Sequence, residues 1–149
     1  VMPNINAKVA EAICAYTANE KATDDDKSLT EKIFSAVGEI IYLDEKFFPL
    51  FGVLGGCTPA LAYMFIDELA RAGVKNGMKK DIALKISAQA VLGSAKMILE
   101  SDEHPYDLID KVCSPGGTTI EAVTTLQENG FNSAIHKAVD KAVDKDSKL

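Results

Sequence analysis

A long uncharged stretch at residues 47–66 limits how this chain can fold. Its length, about 20 residues, would nominally span a bilayer as one helix. Proline and glycine interrupt it, and a proline in a helix interior removes a hydrogen bond and clashes with the preceding turn. The sequence therefore predicts a helix, a turn and a second helix that starts near Pro59, and no membrane span. The interrupting residues are Pro49, Gly52, Gly55, Gly56 and Pro59.

The two long helices predicted after this break are apolar around most of their circumference. They cover residues 59 to about 73 and 79 to about 99, and residues 64–66 are three consecutive large apolar side chains. A chain of 149 residues has difficulty enclosing two such helices, so we expect a second copy to cover part of them in an obligate dimer. The alternative is a compact monomer in which shorter helices pack around these two.

The first 44 residues predict a small β-α-β piece. Apolar runs at residues 13–16 and 39–43 are typical of short strands. Thr23 precedes three aspartates, which suits a helix N-cap with favourable charge at the positive end of the helix dipole. That helix should run through Leu29 and Ile33 until Gly38 stops it. Two short strands are marginal in water, so this piece is too small to hold a sheet alone.

Three shorter helices are predicted after residue 100. They cover residues 106 to about 112, 118 to about 128 and 132 to about 143, with a charged, frayed tail beyond. Gly130 separates the last two helices. The sequence thus predicts a mainly α fold that follows a small β-α-β piece.

Charge and cysteine content exclude several classes of partner. The formal net charge is −6, and basic residues are scattered among acidic ones, which argues against a nucleic-acid-binding surface. Cys14, Cys57 and Cys113 are far apart without a CxxC pair, which argues against a zinc site or a disulfide framework and favours a reducing cytoplasm. No secretory signal is recognisable, and Val1 before Met2 suggests a chain that begins inside a longer protein.

The loop at residues 114–119, Ser-Pro-Gly-Gly-Thr-Thr, carries the strongest chemical signal. Its paired glycines, Gly116 and Gly117, allow the backbone to approach a ligand closely. Thr118 and Glu121 have the spacing of a capping box, so a helix should begin here with free backbone N–H groups. Such groups, with the positive end of the helix dipole behind them, suit a small anion such as a carboxylate. On local chemistry alone, a purely structural helix–helix turn is the favoured interpretation.

Other candidate residues carry weaker signals. His104 lies in Asp-Glu-His-Pro, where a role at a loop or helix start is expected, and His136 lies on a predicted surface helix. The acidic run at residues 24–26 is expected to be a solvated helix start rather than a metal site. The sequence contains neither a GxxxxGK[ST] phosphate loop nor a GxGxxG dinucleotide motif.

Six short motifs, in colinear order from the first residue to about Ala142, carry a family resemblance. The two most specific are Ala-Gln-Ala-Val-Leu-Gly-Ser-Ala-Lys at residues 88–96 and Ser-Pro-Gly-Gly-Thr-Thr-Ile at 114–120. The others are Val-Met-Pro-Asn at 1–4, Ser-Ala-Val-Gly-Glu at 35–39, Pro-Ala at 59–60 and Leu-Ala-Arg-Ala-Gly-Val at 69–74. Together they resemble pyrroline-5-carboxylate reductase.

This resemblance implies a fold and an activity. In that family a Rossmann domain holds NADPH or NADH, and a helical domain interlocks with its twin. Residues 1–44 would be the last edge of the Rossmann domain, and residues 45–149 the helical dimerisation and substrate-binding domain. The reaction would be the reduction of 1-pyrroline-5-carboxylate to L-proline, by a homodimer or a higher oligomer.

The same resemblance assigns residues to the site. Backbone N–H groups of Thr118 and Thr119 would hold the substrate carboxylate, beside Ser114, Gly116 and Gly117. The Thr119 hydroxyl would also hydrogen-bond the ring nitrogen of the substrate, which makes it the candidate catalytic group. No metal is implied. The candidate cofactor-binding residues, at the nicotinamide end, are Met2, Pro3 and Asn4.

The chain departs from the family pattern in two places. Where the family commonly reads Ser-Gly-Ser-Gly-Pro-Ala-Tyr, residues 55–61 read Gly-Gly-Cys-Thr-Pro-Ala-Leu. The Gly-rich turn that grips a dinucleotide is missing, so the chain alone is expected to be inactive and to bind no cofactor tightly. The alternative function is a helical dimerisation module without a catalytic role.

Overall fold

A small three-stranded sheet opens the computed structural model, which describes residues 1–146. Strand β1 is Met2–Pro3, β2 is Ala12–Tyr16 and β3 is Gly38–Tyr42, in the order β1-β2-β3. β1 pairs antiparallel with β2, and β2 pairs parallel with β3, with Cys14 opposite Ile40. The two predicted strands are confirmed. β1 was not predicted, because two residues show no periodicity.

Helix α1, Asp24–Phe34, connects the two parallel strands. The predicted N-cap is confirmed: the Asp26 N–H donates to Thr23 Oγ1 at 3.1 Å, and the Thr23 N–H donates to the Asp26 carboxylate at 2.9 Å. The bond from the Thr23 N–H, with that from its hydroxyl, holds the pKa of Asp26 below its ordinary value, since both favour the charged form. The helix ends at Phe34, before the predicted stop at Gly38, and the Ala12 N–H donates to the Val37 carbonyl at 2.9 Å.

Strand β2 supplies the buried centre of this region. Ala12, Cys14, Ala15 and Tyr16 are buried, and burial raises the pKa of the Cys14 thiol. Gly38 begins β3 with φ +147, and a Cβ there would lie 2.1 Å from the carbonyl oxygen of Ala12. Only glycine fits at this point, because any other side chain would push the two parallel strands apart.

A continuous helical stretch, Glu45–Lys75, replaces the predicted helix, turn and second helix. It consists of a 3-10 turn at Glu45–Phe47, helix α2 at Phe48–Phe51, a π-helical segment at Gly52–Cys57 and helix α3 at Thr58–Lys75. The prediction of a turn here is therefore wrong. The π segment changes the hydrogen-bond spacing just before Pro59 and so accommodates a residue that would disrupt a regular α-helix.

Four further helices follow. Helix α4 is Lys80–Glu100, α5 is Pro105–Val112, α6 is Thr118–Glu128 and α7 is Phe131–Asp146. Their bounds agree with the predicted ones to within a few residues. The predicted frayed tail is helical as far as Asp146, and the remainder of it lies outside the described residues. The fold is mainly α with a small sheet, as predicted.

The chain divides into two compact units. The first comprises Val1–Ala62 and α7 from Lys137, and Phe51 and Val53 join the residues of β2 in its core. The second comprises Tyr63–His136 and contains α4, α5 and α6. Its buried residues are Ala70, Ala83 and Ser87.

The two long helical stretches leave much apolar surface uncovered. Glu45–Lys75 and Lys80–Glu100 are long and apolar enough to cross a membrane by length and composition, which is weak evidence for a span. Of the most apolar 18 residues in each stretch, only 22% are buried in Glu45–Lys75 and only 6% in Lys80–Glu100. Side chains such as Met64, Ile86 and Leu99 are exposed. These surfaces are the ones for which we predicted a second copy as cover.

Candidate functional site

The loop between α5 and α6 forms a tight turn in the second unit. Gly116 has φ +67, a left-handed conformation that glycine adopts without steric cost. The Gly117 N–H donates to the Ser114 carbonyl at 3.0 Å and closes the turn. A Cβ at Gly117 would lie 2.3 Å from Ser114 Oγ and 3.1 Å from the Ser114 carbonyl oxygen. The serine hydroxyl therefore lies directly beside the glycine backbone, and a side chain at Gly117 would displace it.

Helix α6 begins at Thr118 with unsatisfied N–H groups. Gly117 is its N-cap and offers no side-chain hydrogen bond, so the predicted capping box of Thr118 and Glu121 is wrong. The glycine backbone itself takes the extended cap conformation, which moves Thr118 into the first turn. Within residues 1–146, no acceptor is found for the N–H groups of Thr118, Thr119 and Ile120. Such N–H groups, at the positive end of a helix, are suited to an anion.

The side chains of this first turn face different surroundings. Ser114 and Thr118 are exposed, whereas Thr119 is half-buried. Thr119 lines a pocket of about 350 Å³ together with Ser94, whose hydroxyl donates to the Ala90 carbonyl at 2.9 Å. The other lining residues are all apolar: Met97, Ile98, Pro105, Leu108, Ile109, Val112 and Val123. A planar, mostly apolar ring with one polar atom would suit such a pocket.

Ser94 is a site candidate that the sequence reasoning missed. It lies in the Ala88–Lys96 motif, which we used for the resemblance without assigning a role to any of its residues. The available signal was its position: Ser94 carries the one polar side chain in the otherwise apolar run of residues 90–95. The same geometry groups Ser114, Gly116, Gly117, Thr118 and Thr119 in one continuous loop of the second unit, as the sequence predicted.

The candidate cofactor residues lie in the first unit, at its opening strand. Met2 and Pro3 form β1 and are exposed, and Met2 lies opposite Ala15 of β2. Asn4 is half-buried and caps the short 3-10 helix that follows. Its Oδ1 accepts from the Asn6 N–H at 3.2 Å, and its Nδ2 donates to the Gly55 carbonyl at 3.0 Å.

The weaker candidates have structural roles or stay on the surface. His104 caps α5, because its Nδ1 accepts from the Tyr106 N–H at 3.2 Å, so its expected helix-start role is confirmed. His136 is exposed on α7, and the acidic run at residues 24–26 forms the first turn of α1, both as expected. Within residues 1–146, no group of three or more His, Cys, Asp or Glu side chains is arranged to hold a metal ion.

Comparison with known proteins identifies the family. Residues 45–149 match the family model for pyrroline-5-carboxylate reductase dimerisation. The chain belongs to the pyrroline-5-carboxylate reductase family. The loop and all the helices from α2 onward lie within the matched range.

Individual reductases are similar over the whole of this chain. Pyrroline-5-carboxylate reductase of Escherichia coli strain K12 is 46% identical over 99% of the chain, and that of Aquifex aeolicus is 38% identical over 100%. The matches cover 55% and 56% of those two proteins. The chain thus spans about half the length of the curated relatives it matches.

Solved reductase structures have the same fold. A 1-pyrroline-5-carboxylate reductase from Streptococcus pyogenes superimposes with a TM-score of 0.93 at 39% identity, over 99% of this chain and 57% of that one. A pyrroline carboxylate reductase from Plasmodium falciparum, solved with NADP bound, superimposes with a TM-score of 0.91 at 34% identity. That match covers 97% of this chain and 59% of the other.

Proposed function

We propose that this chain is the C-terminal part of a pyrroline-5-carboxylate reductase, which reduces 1-pyrroline-5-carboxylate to L-proline. The observation that carries the proposal is the turn at residues 114–119. A helix of this family's fold begins there with unpaired N–H groups, behind a glycine at which any side chain would displace the Ser114 hydroxyl. Three free thiols, Cys14, Cys57 and Cys113, agree with a reducing compartment such as the cytoplasm.

The substrate carboxylate would bind at the start of α6. The N–H groups of Thr118 and Thr119 would donate to its oxygens, and the Ser114 hydroxyl would lie at the edge of the same site. Gly116 and Gly117 keep the approach open, because neither puts a Cβ in its path. Hydrogen bonds to a charged acceptor are stronger than neutral ones, so this contact would orient the ring.

The ring of the substrate would lie towards the pocket lined by Thr119 and Ser94. The Thr119 hydroxyl would hydrogen-bond the ring nitrogen and so fix the C5 carbon for attack. The nicotinamide cofactor, NADPH or NADH, supplies the hydride that adds to C5 when it is bound. Positioning of two reactants accounts for much of the rate enhancement in such a step, so no strong base is required of the chain.

We propose a domain boundary at residue 45. Residues 1–44 would belong to the edge of the cofactor-binding domain, and residues 45–149 would bind substrate and form the homodimer; the matched family range, which begins at residue 45, supports this boundary. The exposed Met2 and Pro3 suit contact with a flat nicotinamide ring. The sequence has no Gly-rich turn for the pyrophosphate, so we expect no tight cofactor binding by these 149 residues.

The activity test compares this chain with a chain extended upstream through the cofactor-binding domain. We expect the extended chain to oxidise NADPH or NADH when 1-pyrroline-5-carboxylate is added, and the 149-residue chain to show no turnover. Dimers that form without turnover in the extended chain would favour the alternative, a helical dimerisation module.

Gly117→Val in the extended chain tests the site itself. We expect kcat/KM for the imine to fall roughly 10- to 150-fold, the size of a lost charge-assisted hydrogen bond, with little change in KM for the cofactor. Thr125→Val is the control, because it places a valine on the exposed side of the same helix, away from its N-terminus. Thermal melts of both variants detect misfolding. An unchanged kcat/KM for the imine in Gly117→Val would mean that the loop is only a helix-capping turn and does not bind substrate.

A further inference from the structure

Pro59 is buried inside the continuous helical stretch Glu45–Lys75. In an α-helix, the N–H of residue 59 would donate to the carbonyl of Gly55, four positions earlier. Proline has no N–H, and its ring crowds that carbonyl. Gly55 is buried too, and a buried carbonyl without a partner costs free energy. At the α-helical spacing this carbonyl therefore has no N–H donor, and a side chain from another part of the chain can supply one.

Asn4 provides that donor. Its Nδ2 group donates to the Gly55 carbonyl at 3.0 Å, across 51 positions of sequence. The Asn6 N–H donates to Oδ1 of the same side chain, which determines which end of the carboxamide is oxygen and which is nitrogen. The chain itself thus sets the orientation of this amide, and each end already has a protein partner.

The bond also joins two surfaces that pack closely. A Cβ at Gly55 would lie 3.0 Å from the ring of Phe51 and 3.3 Å from the side chain of Ile13 in β2. The π segment, Gly52–Cys57, therefore lies directly against the small sheet. The residues at its end, 56–58, are exposed.

We propose that Asn4 is a positioning residue, whose carboxamide replaces the hydrogen bond that Pro59 removes and so fixes the π segment and the exposed residues 56–58 relative to Met2 and Pro3. Asn4 then serves the nicotinamide end of the site indirectly, and the contacts come from its neighbours. This functional part of the inference rests on the proposed reductase activity. The structural part stands on the geometry of Asn4, Gly55 and Pro59.

Hydrogen exchange in the 149-residue chain tests the structural part. Asn4→Asp keeps an acceptor for the Asn6 N–H but cannot donate to the Gly55 carbonyl. We expect the amides of residues 52–60, apart from Pro59, to exchange about tenfold faster, while those of residues 38–42 in β3 change by less than about twofold. Asn6→Asp is the matched control, because it adds the same charge two positions away and the Asn6 side chain makes no hydrogen bond within residues 1–146. Unchanged protection at residues 52–60, or an equal rise in both regions, would overturn the proposal.

Pro59→Ala tests the link to proline. Alanine restores an N–H four positions from Gly55, so the helix can satisfy the Gly55 carbonyl without Asn4. We expect Asn4→Asp to accelerate exchange at residues 52–60 by less than about threefold when Pro59→Ala is also present. A full acceleration in the double variant would show that Asn4 does not stand in for the missing N–H.

Kinetics in the extended reductase test the positioning role. We expect Asn4→Asp to raise KM for the nicotinamide cofactor roughly fivefold, to change KM for the imine by less than about twofold, and to be rescued by Pro59→Ala. A residue that touches the cofactor would give a raised KM in both backgrounds, which contradicts the proposal. If the unsubstituted extended chain shows no turnover, the proposed function fails, and the exchange measurements still decide the role of Asn4.

Discussion

The hydroxyl of Thr119 and its backbone N–H would act on different parts of the substrate. Thr119→Val removes the hydroxyl at nearly constant shape and leaves the N–H at the start of α6 in place. In the extended reductase we expect kcat to fall roughly 3- to 10-fold, the effect of one neutral hydrogen bond to the ring nitrogen, with the oligomeric mass unchanged. Steady-state kinetics provide the measurement, with the exposed Thr125→Val of the same helix as control. An unaltered kcat would remove Thr119 from the list of catalytic groups.

Tyr16 should make the stability of the first unit depend on pH in the alkaline range. Its hydroxyl donates to the Glu31 carboxylate; this bond, with burial and the negative charge of Glu31, raises the pKa of Tyr16 from 10.0 to about 12. The folded state therefore holds this proton more tightly than the unfolded state. The resulting stabilisation is complete below pH 10 and is lost as the pH rises towards 12.

Tyr16→Phe should weaken that dependence. We expect the urea midpoint of the unsubstituted chain to drop further between about pH 8 and about pH 11 than that of the variant. Tyr42→Phe is the control. Tyr42 packs edge-on against Tyr16 at 5.3 Å between ring centroids, and removing the Tyr42 hydroxyl leaves the bond from Tyr16 to Glu31 intact. If the midpoints of Tyr16→Phe and the unsubstituted chain fall in parallel, the tyrosine contributes nothing to the alkaline loss.

Among the helices, α5 depends on a single imidazole for its N-cap. His104→Ala removes the Nδ1 acceptor of the Tyr106 N–H, so we expect the free energy of unfolding to fall by about 1 kcal/mol. His104→Asn should retain most of this stability, because asparagine is a good N-cap residue. Thermal denaturation measures both, and His136→Ala on the exposed face of α7 should change stability by less than about 0.5 kcal/mol. A neutral His104→Ala would mean that Tyr106 finds another acceptor.

The caps also show which elements the sequence could predict. Thr23 and Asp26 are three positions apart, so their reciprocal bonds depend on local sequence and were predictable in kind. The capping box predicted for Thr118 and Glu121 failed although its spacing was right, because Gly117 takes the cap conformation and the turn closes through Ser114. Spacing alone does not reveal which residue has the cap backbone angles.

The stretch Glu45–Lys75 shows where local reasoning stops. By local sequence propensities, Pro59 and the glycines around it should interrupt the helix, yet the helix continues through them. Asn4 lies 51 positions from its acceptor at Gly55, so no window of local sequence contains both partners. The pocket around Thr119 is similar: the family motifs identify the loop, but only the folded chain brings α4 and α5 to it.

For the molecule as a whole, the most unfavourable feature is the apolar helix surface that remains exposed to water. Of the most apolar part of Lys80–Glu100, only 6% is buried, and the chain offers no further element to cover it within residues 1–146. A second copy provides an apolar surface of the same kind and is the cover that the dimerisation family suggests. A membrane would also remove this surface from water, so the two covers predict different behaviour in solution.

We predict that the chain sediments at twice its mass of 16.0 kDa or a higher multiple, at micromolar concentration and without detergent. Ile86→Glu, on α4, should shift part of the population to 16.0 kDa, because a carboxylate cannot be buried at low cost in an apolar interface. Ile33→Glu on α1 is the matched control: the two isoleucines are 53% and 56% exposed, but Ile33 lies outside the matched dimerisation range. A single 16.0 kDa species for the unsubstituted chain would contradict the dimer, and a chain that stays in solution only with detergent would favour the membrane.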